Sequence, residues 1–412
     1  MSFVPGRRWI LAAALVGLVA RLAFSTFYWI DKPLTHDERE YLALASSLEA
    51  GHGLRYPAGH EAGTGQQFGR APGYPAFLAF IGVGGAHESA PARVKIAQAF
   101  LGAVVVWMIG AIAAAAAGER SGTIAAAIAA VYPPLVWISS YVFSETLYMP
   151  LALGCVMLLA AARRHTIRQG STRAGGAFTL LAGLLAGLAI LVRPGMVVFL
   201  PLVAIWFGAR RQWSLAATFC VAAAVVVAPW TLRNGREYGR FILVASEGGV
   251  TFWTGNHPLA RGEGDLAANP DIKRAEIEFR EAHPGLTAEE LEPLYYRDAL
   301  RQISERPGWW IGLLVKKLFY TFVPIGPSYT LHSTKYLLAT VVPYGLLLPF
   351  AVAGLRRLLR RENAATPLLL LAASVVLTAL IFFPQERFRI PVLDPSLIIA
   401  AAIVFAKSQV HA

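Results

Sequence analysis

WILAAALVGLVARLAFSTFYWI (residues 9–30), then DKPL, then THDEREY (residues 35–41), is the stretch on which the reading of this chain turns. Residues 9–30 carry a single charge, Arg21. A bilayer core takes about 20 apolar helical residues to cross, so this segment reads as a membrane span. The pair Asp37-Glu38 therefore falls at a membrane surface, where bare charge is costly and marks a function.

The same pattern recurs along the chain. Of 412 residues, 56% are hydrophobic, and the mean hydropathy is +0.51. Soluble domains are nearer about 45–50% apolar, so the expectation is an all-α polytopic membrane protein. The net charge of +12 comes from 37 basic and 25 acidic residues. The basic residues sit in short clusters between apolar runs, which argues for cytoplasmic loops rather than nucleic-acid binding. Cys155 and Cys220 both lie within apolar runs and read as small packing residues, not as a disulfide or metal pair. The first segment is too long for a signal h-region and no small-residue cleavage site follows it, so no cleavable signal is expected.

Ten segments qualify as spans: 9–29, 95–117, 121–139, 146–162, 177–192, 195–209, 213–230, 336–354, 366–383 and 391–406. Both termini inside would put Arg7-Arg8, Arg120, Arg163-Arg164, Arg210-Arg211 and Arg356-Arg357 all in the cytoplasm, as the positive-inside rule asks. Counting 72–86 or 308–323 alone as an extra span breaks that agreement. Both are therefore expected to lie in the outer interface, with Trp309 and Trp310 as belt aromatics and Lys316 and Lys317 as snorkelling cations. Two large extracytoplasmic loops follow, 31–94 with the acidic motif and 231–335 with a small helical cap around 271–306. The whole chain, 1–412, is otherwise one membrane domain.

Thr35-x-x-Glu38 fits a capping box, and Tyr41, Leu42, Ala45 and Leu48 continue at helical spacing. The acids could therefore serve only to start a surface helix over 36–50. Other segments argue for more. Arg70 and Tyr74 in Arg-Ala-Pro-Gly-Tyr-Pro, Glu145 in Ser-Glu-Thr-Leu, Arg193-Pro194, Arg233 in Pro-Trp-Thr-Leu-Arg-Asn, and Arg387 and Arg389 in Glu-Arg-Phe-Arg-Ile-Pro all fall on the outer side. Cations are scarce in short outer turns, so several of them beside carboxylates suggest a site for an anionic, membrane-borne substrate. Arginine suits phosphate because its planar fork binds two oxygens and keeps its charge.

These motifs, in this order and over almost the whole chain, resemble the GT-C glycosyltransferases. The likeness is to the bacterial branch with an RgtA/B/C/D-like domain, related to protein O-mannosyltransferases and lipid A aminoarabinose transferases. The resemblance implies a GT-C-type bundle of about ten transmembrane helices that moves a hexosyl or pentosyl group from a polyprenyl-phosphate donor to a lipid, glycan or protein acceptor. It implies the plasma membrane as location and the extracytoplasmic face as active side. It implies Asp37 as catalytic base, Glu145 as its assistant and Arg70 as a phosphate ligand. Relatives often carry Pro-Pro or a Lys where this chain has Arg70-Ala71-Pro72. Chemically, such a donor needs no strong acid, since phosphate leaves as an anion. It needs neutralisation of that phosphate, for which Arg70, Arg193, Arg233, Arg387 and Arg389 are candidates, with Tyr74 beside them. It also needs a carboxylate to take the acceptor's proton in a single inverting displacement. Glu38 joins the catalytic candidates, with a capping or sugar-binding role.

No cofactor is firmly implied. His36, His52 and His60 share the first loop with Asp37 but lack tight ligand spacing, so a divalent metal is the less favoured reading. Arg21 is expected to pack against the bundle or snorkel. A transporter or flippase for an anionic polyprenyl-phosphate lipid is the competing class, but it would place charge near the membrane midplane.

Overall fold

A computed structural model describes residues 5–57, 67–83, 87–168, 172–264, 268–326, 333–359 and 362–405. Among them the only strand-like pairing is an isolated bridge between Pro33 and Ser89. The helices are α1 Pro5–Ala23, α2 His36–Glu49, α3 Gly73–Phe80, α4 Ala92–Ala117, α5 Glu119–Val131, α6 Pro133–Trp137, α7 Glu145–Arg168, α8 Thr172–Val192 and α9 Phe199–Gly208. They continue with α10 Trp213–Tyr238, α11 Gly248–Gly255, α12 Pro270–Glu281, α13 Ala288–Glu305, α14 Pro307–Phe322, α15 Thr334–Leu359, α16 Glu362–Ile381, α17 Glu386–Arg389 and α18 Leu393–Ile403.

Among the described residues, six helices are long and apolar enough to cross a membrane, and α5 with the helical stretch Pro133–Ser140, bent by 62° at the break, makes up to a seventh if the pair counts as one span. Three shorter apolar helices, at Pro194–Gly208, Ala365–Ile381 and Leu393–Ile403, occupy the remaining segments read as spans. The chain is an integral, multi-pass membrane protein. α1 packs on α4 and α5, α7 on α8, α8 on α10, and α15 on α18.

The bend between α5 and α6 has a local cause. Pro134 has no N–H to give to the Ala130 carbonyl one turn back. Arg21 answers that orphan, donating from Nη1 to Ala130 O at 3.3 Å and to Gly17 O at 2.9 Å. It is 1% exposed, so it is packed in the bundle and does not snorkel. Gly102 makes the room, because a Cβ there would run into the Arg21 side chain. Lys95 does similar work at the other turn of this end, donating to Trp29 O at 2.6 Å and Ile30 O at 3.2 Å.

The chain between α10 and α15 builds a small helical unit on the same end as α2. Val250, Trp253, Leu291, Tyr295 and Ala299 form its core. α14 corrects one expectation. Ile311, Val315 and Phe319 are exposed, as on an interfacial helix, and Lys316 is exposed beside them. Lys317, expected to snorkel, is instead fully buried and donates to Asn256 Oδ1 at 2.9 Å and Leu380 O at 3.0 Å. Trp310 Nε1 donates to the same Asn256 oxygen at 3.0 Å. One face of the helix is thus tied to α11 and to the end of α16. Burial, with no carboxylate in contact, pushes the Lys317 amine down to about 7.

Candidate functional site

The ends of α1, α8, α10 and α16 and the starts of α2 and α7 meet at one end of the bundle. Asp37 stands in the first turn of α2, whose start is fixed by the capping box that the sequence signals. Glu38 Oε2 accepts from Thr35 N at 2.8 Å, and its other oxygen accepts from Val142 N at 2.8 Å. Glu38 is 2% exposed, with both oxygens committed to backbone donors. It ties α2 to the chain entering α7.

Asp37 is held by two guanidiniums. Arg70 Nη2 lies 2.6 Å from Oδ1, and Arg387 Nη2 lies 2.5 Å from Oδ2. Burial alone would raise this carboxyl, but Arg387 and Arg70 overcome it and hold it well below its ordinary range. Arg70 is shared further, with Glu40 at 2.5 Å and Glu247 at 3.6 Å. Its guanidinium also lies over the Tyr41 ring at 5.4 Å. Beside this group, Arg193 Nη1 pairs with Glu145 Oε1 at 2.7 Å, and Arg387 Nε stands 3.9 Å from the same oxygen. Ser144 Oγ joins the two halves, accepting from Tyr41 OH at 3.2 Å and Arg193 Nη1 at 3.3 Å. Arg387 and Arg193 face the Phe388 ring at 5.3 Å and 4.9 Å.

Local sequence explains how Arg70 is aimed. Phe68 is fully buried against Trp230 and Tyr238, which pins the loop. Gly69 follows at φ +50°, and a Cβ there would collide with the Glu247 carboxylate. Ser246 N donates to Gly69 O at 3.1 Å, which brings Glu247 alongside. The Pro-Trp-Thr-Leu-Arg-Asn motif supports that approach from α10. Trp230, Thr231 and Asn234 donate to the carbonyls of Val244, Leu243 and Ile242 at 2.8, 2.8 and 3.1 Å. The cap adds two carboxylates: Glu289 accepts from Gln67 N at 2.7 Å, and Glu292 accepts from Gly249 N at the start of α11. Burial raises Glu292 to about 7 even with those backbone donors.

The structure therefore brings together Asp37, Glu145, Arg70, Arg193 and Arg387 among the residues singled out in the sequence. It does not bring Tyr74, Arg233 or Arg389 to them. Tyr74 is fully buried, donates to Gln98 Oε1 at 2.7 Å and props Tyr41 edge-on at 4.9 Å. Arg233 stacks on Trp230 and Tyr238 instead. Arg389 is 3% exposed, paired with Asp394 at 2.8 Å and set over Tyr344 at 4.1 Å. Each was placed by sequence position on the right end of the bundle, but side-chain direction and burial turned it elsewhere.

Glu40 and Glu247 were missed. Glu40 had a signal, since i and i+3 on a helix share a face with Asp37. Glu247 had none, because only the fold of the second loop carries it to Arg70.

His36 pairs with Glu40 at 3.1 Å, His52 is exposed on the turn after α2, and His60 lies outside the described residues. Among the described residues no three His, Cys, Asp or Glu side chains form a metal-holding group.

A cleft of about 670 Å³ adjoins the cluster, between the end of α1, α6 and the start of α15. Six aromatics line it, Phe24, Tyr28, Trp29, Trp137, Tyr141 and Tyr336, with Lys335 among its polar lining. Tyr141 stacks on Phe143 at 4.9 Å, and Phe143 lies under Arg387 at 5.0 Å. Tyr336 OH donates to Glu386 Oε2 at 3.1 Å, one residue before Arg387. The cleft and the charged cluster thus share walls.

No protein-family model matches the sequence, and no curated protein matches it significantly. Solved structures do. The oligosaccharyltransferase of Archaeoglobus fulgidus in its apo form superposes with TM-score 0.61 at 15% identity, covering 97% of this chain and 50% of that one. The archaeal oligosaccharyltransferase AglB from Archaeoglobus fulgidus, in complex with an inhibitory peptide and a dolichol-phosphate, gives TM-score 0.58 at 14% identity, covering 96% and 50%. ArnT from Cupriavidus metallidurans bound to undecaprenyl phosphate superposes more loosely, with TM-score 0.43 at 13% identity, covering 97% and 77%. The chain spans about half the length of the oligosaccharyltransferase it matches. Its fold is of the GT-C type, the class to which the sequence motifs pointed.

Proposed function

We propose that this protein is an inverting glycosyltransferase that moves a hexosyl or pentosyl group from a polyprenyl-phosphate donor to an acceptor hydroxyl at the extracytoplasmic face of the plasma membrane. One observation carries the reading. A carboxylate, Asp37, stands between Arg70 and Arg387, with the Glu145–Arg193 pair alongside, at the mouth of an apolar bundle. That set supplies both things the transfer requires, a base for the acceptor proton and cations for the departing phosphate. The dolichol-phosphate held by AglB, a protein of the same fold, supports a lipid phosphate as substrate.

The geometry supports an assignment of roles. Asp37 is the base, Glu145 holds Arg193 and faces Arg387, and Arg387 and Arg193 take the phosphate. Arg70, already shared by three carboxylates, orients Asp37 more than it binds donor. Glu38 positions α2. The aromatic cleft beside Arg387 suits the first isoprene units of the donor. The acceptor is a lipid-linked or envelope glycan, in preference to a protein.

The test is reconstitution of the full chain in liposomes with a radiolabelled polyprenyl-phosphate sugar. Label passing to an acceptor supports the transferase. Lipid crossing the bilayer with its sugar intact and no transfer would support the flippase reading instead.

A further inference from the structure

Asp37 has no oxygen to spare: Oδ1 faces Arg70 at 2.6 Å and Oδ2 faces Arg387 at 2.5 Å. A carboxylate held by two guanidiniums is a poor base, since their charges and hydrogen bonds stabilise its ionised form. The two arginines are not equally fixed. Arg70 is shared with Glu40 and Glu247 as well as Asp37. Among the described residues Arg387 pairs closely with Asp37 and at 3.9 Å with Glu145, and it meets the Gln385 amide oxygen and the faces of Phe143 and Phe388. Its side chain keeps 26% exposure. An incoming anion can take Arg387 at the cost of its close pair with Asp37 and a longer one with Glu145, whereas taking Arg70 would break three ion pairs.

The geometry points to an anion-exchange latch: the phosphate of the lipid-linked donor draws Arg387 away from Asp37, so that donor binding itself frees the base. This rests on the transferase reading above and adds an order of events to it. The groups facing Asp37 set its behaviour from every side. They are Glu40 and Tyr41 on α2, Arg70 on its loop, Glu247 before α11, Glu145 on α7, Arg193 after α8 and Arg387 on α17. With Arg387 on the phosphate, Oδ2 of Asp37 opens toward the acceptor while Arg70 keeps the carboxylate oriented through Oδ1. The acceptor O–H then gives its proton to Oδ2, its oxygen bonds to the anomeric carbon, and the bond from that carbon to the phosphate oxygen breaks. The electron pair leaves with polyprenyl phosphate, whose second negative charge Arg387 receives. The Asp37 proton passes to water. When the lipid phosphate departs, Arg387 returns to Asp37 and the site closes.

The experiment is carbodiimide labelling of Asp37, read by peptide mapping of the full-length protein in nanodiscs. Carbodiimides react with protonated carboxyls, so a tied Asp37 resists and a freed one reacts. Saturating polyprenyl phosphate should raise the Asp37 labelling rate about tenfold, while uncharged polyprenol should not. Arg387→Gln should label quickly with or without lipid, and Arg387→Lys should restore resistance. In kinetics, the acid limb of kcat should lie at higher pH than the acid limb of kcat/KM for donor, and the two should coincide in Arg387→Gln. Asp37 labelling that ignores polyprenyl phosphate, in a preparation that catalyses transfer, overturns the latch and leaves the transferase standing. An equal response to polyprenol would also overturn it, since the chain and not the anion would then be acting. Wild-type protein that transfers no sugar overturns the function itself.

Discussion

Arg387 and Arg389 stand two residues apart in one short turn and end in opposite situations. Arg387 meets Asp37 at a cluster mouth and keeps 26% exposure. Arg389 closes on Asp394 with 3% exposure, sealed by the Tyr344 ring. In sequence both are cations of the same short motif. On the single turn of α17 their side chains diverge, one toward α2 and the other into the packing of α15 and α18. The difference teaches that charge becomes useful where partners are shared and solvent can reach them. Where a pair is closed, charge only holds elements together, and even that gain is modest against its desolvation.

That contrast can be broken by substitution. The largest effect belongs to the open cluster. Asp37→Asn should retain polyprenyl-phosphate binding and lose transfer by about 10²–10⁴-fold, measured as kcat with purified protein; near-normal turnover would remove Asp37 as the base. Next comes the closed pair. Asp394→Ala leaves the Arg389 charge buried without its carboxylate and should cost about 3–5 kcal/mol of stability. Replacing both by leucines should recover most of that loss, and a double variant as unstable as the single one would mean that the pair does more than bind itself. Arg387→Ala should raise donor KM about tenfold, the loss of one charge-assisted contact worth about 1.4 kcal/mol, with little change in thermal stability. An unchanged donor KM would put Arg387 in the same structural class as Arg389.

The smallest effect concerns another buried cation. Lys317 titrates near 7 in the folded chain, below its ordinary value. Between about 7 and the ordinary lysine range near 10.4, the unfolded chain therefore binds more protons than the folded one, so stability rises with pH across that window. Melting temperature should climb by a few degrees from pH 7 to pH 9, and Lys317→Met should flatten the slope. A flat wild-type profile would mean that the amine stays charged against the Asn256 and Leu380 oxygens.

Much of the architecture was legible because hydropathy is additive along the chain. Twenty apolar residues demand a helix wherever their neighbours sit, since backbone groups in lipid must bond within the segment. The Thr35–Glu38 capping box was legible for a similar reason, because it closes within four residues. The acids and arginines could be sorted to one end by counting spans. Their pairing could not. Arg233 reads as a site cation by position, yet Trp230 and Tyr238 claim it. Lys317 reads as a snorkelling residue, yet its place opposite the exposed stripe of α14 turns it onto Asn256.

By itself, then, the sequence determined the membrane class, the helical segments, the end of the bundle where charge collects and the helix that presents Asp37, all through interactions local in the chain. Only the tertiary structure decided which charges meet: Glu247 with Arg70 across 177 positions of sequence, Asp37 with Arg387 across 350. Side-chain direction and burial settle those encounters, and both depend on how distant helices pack.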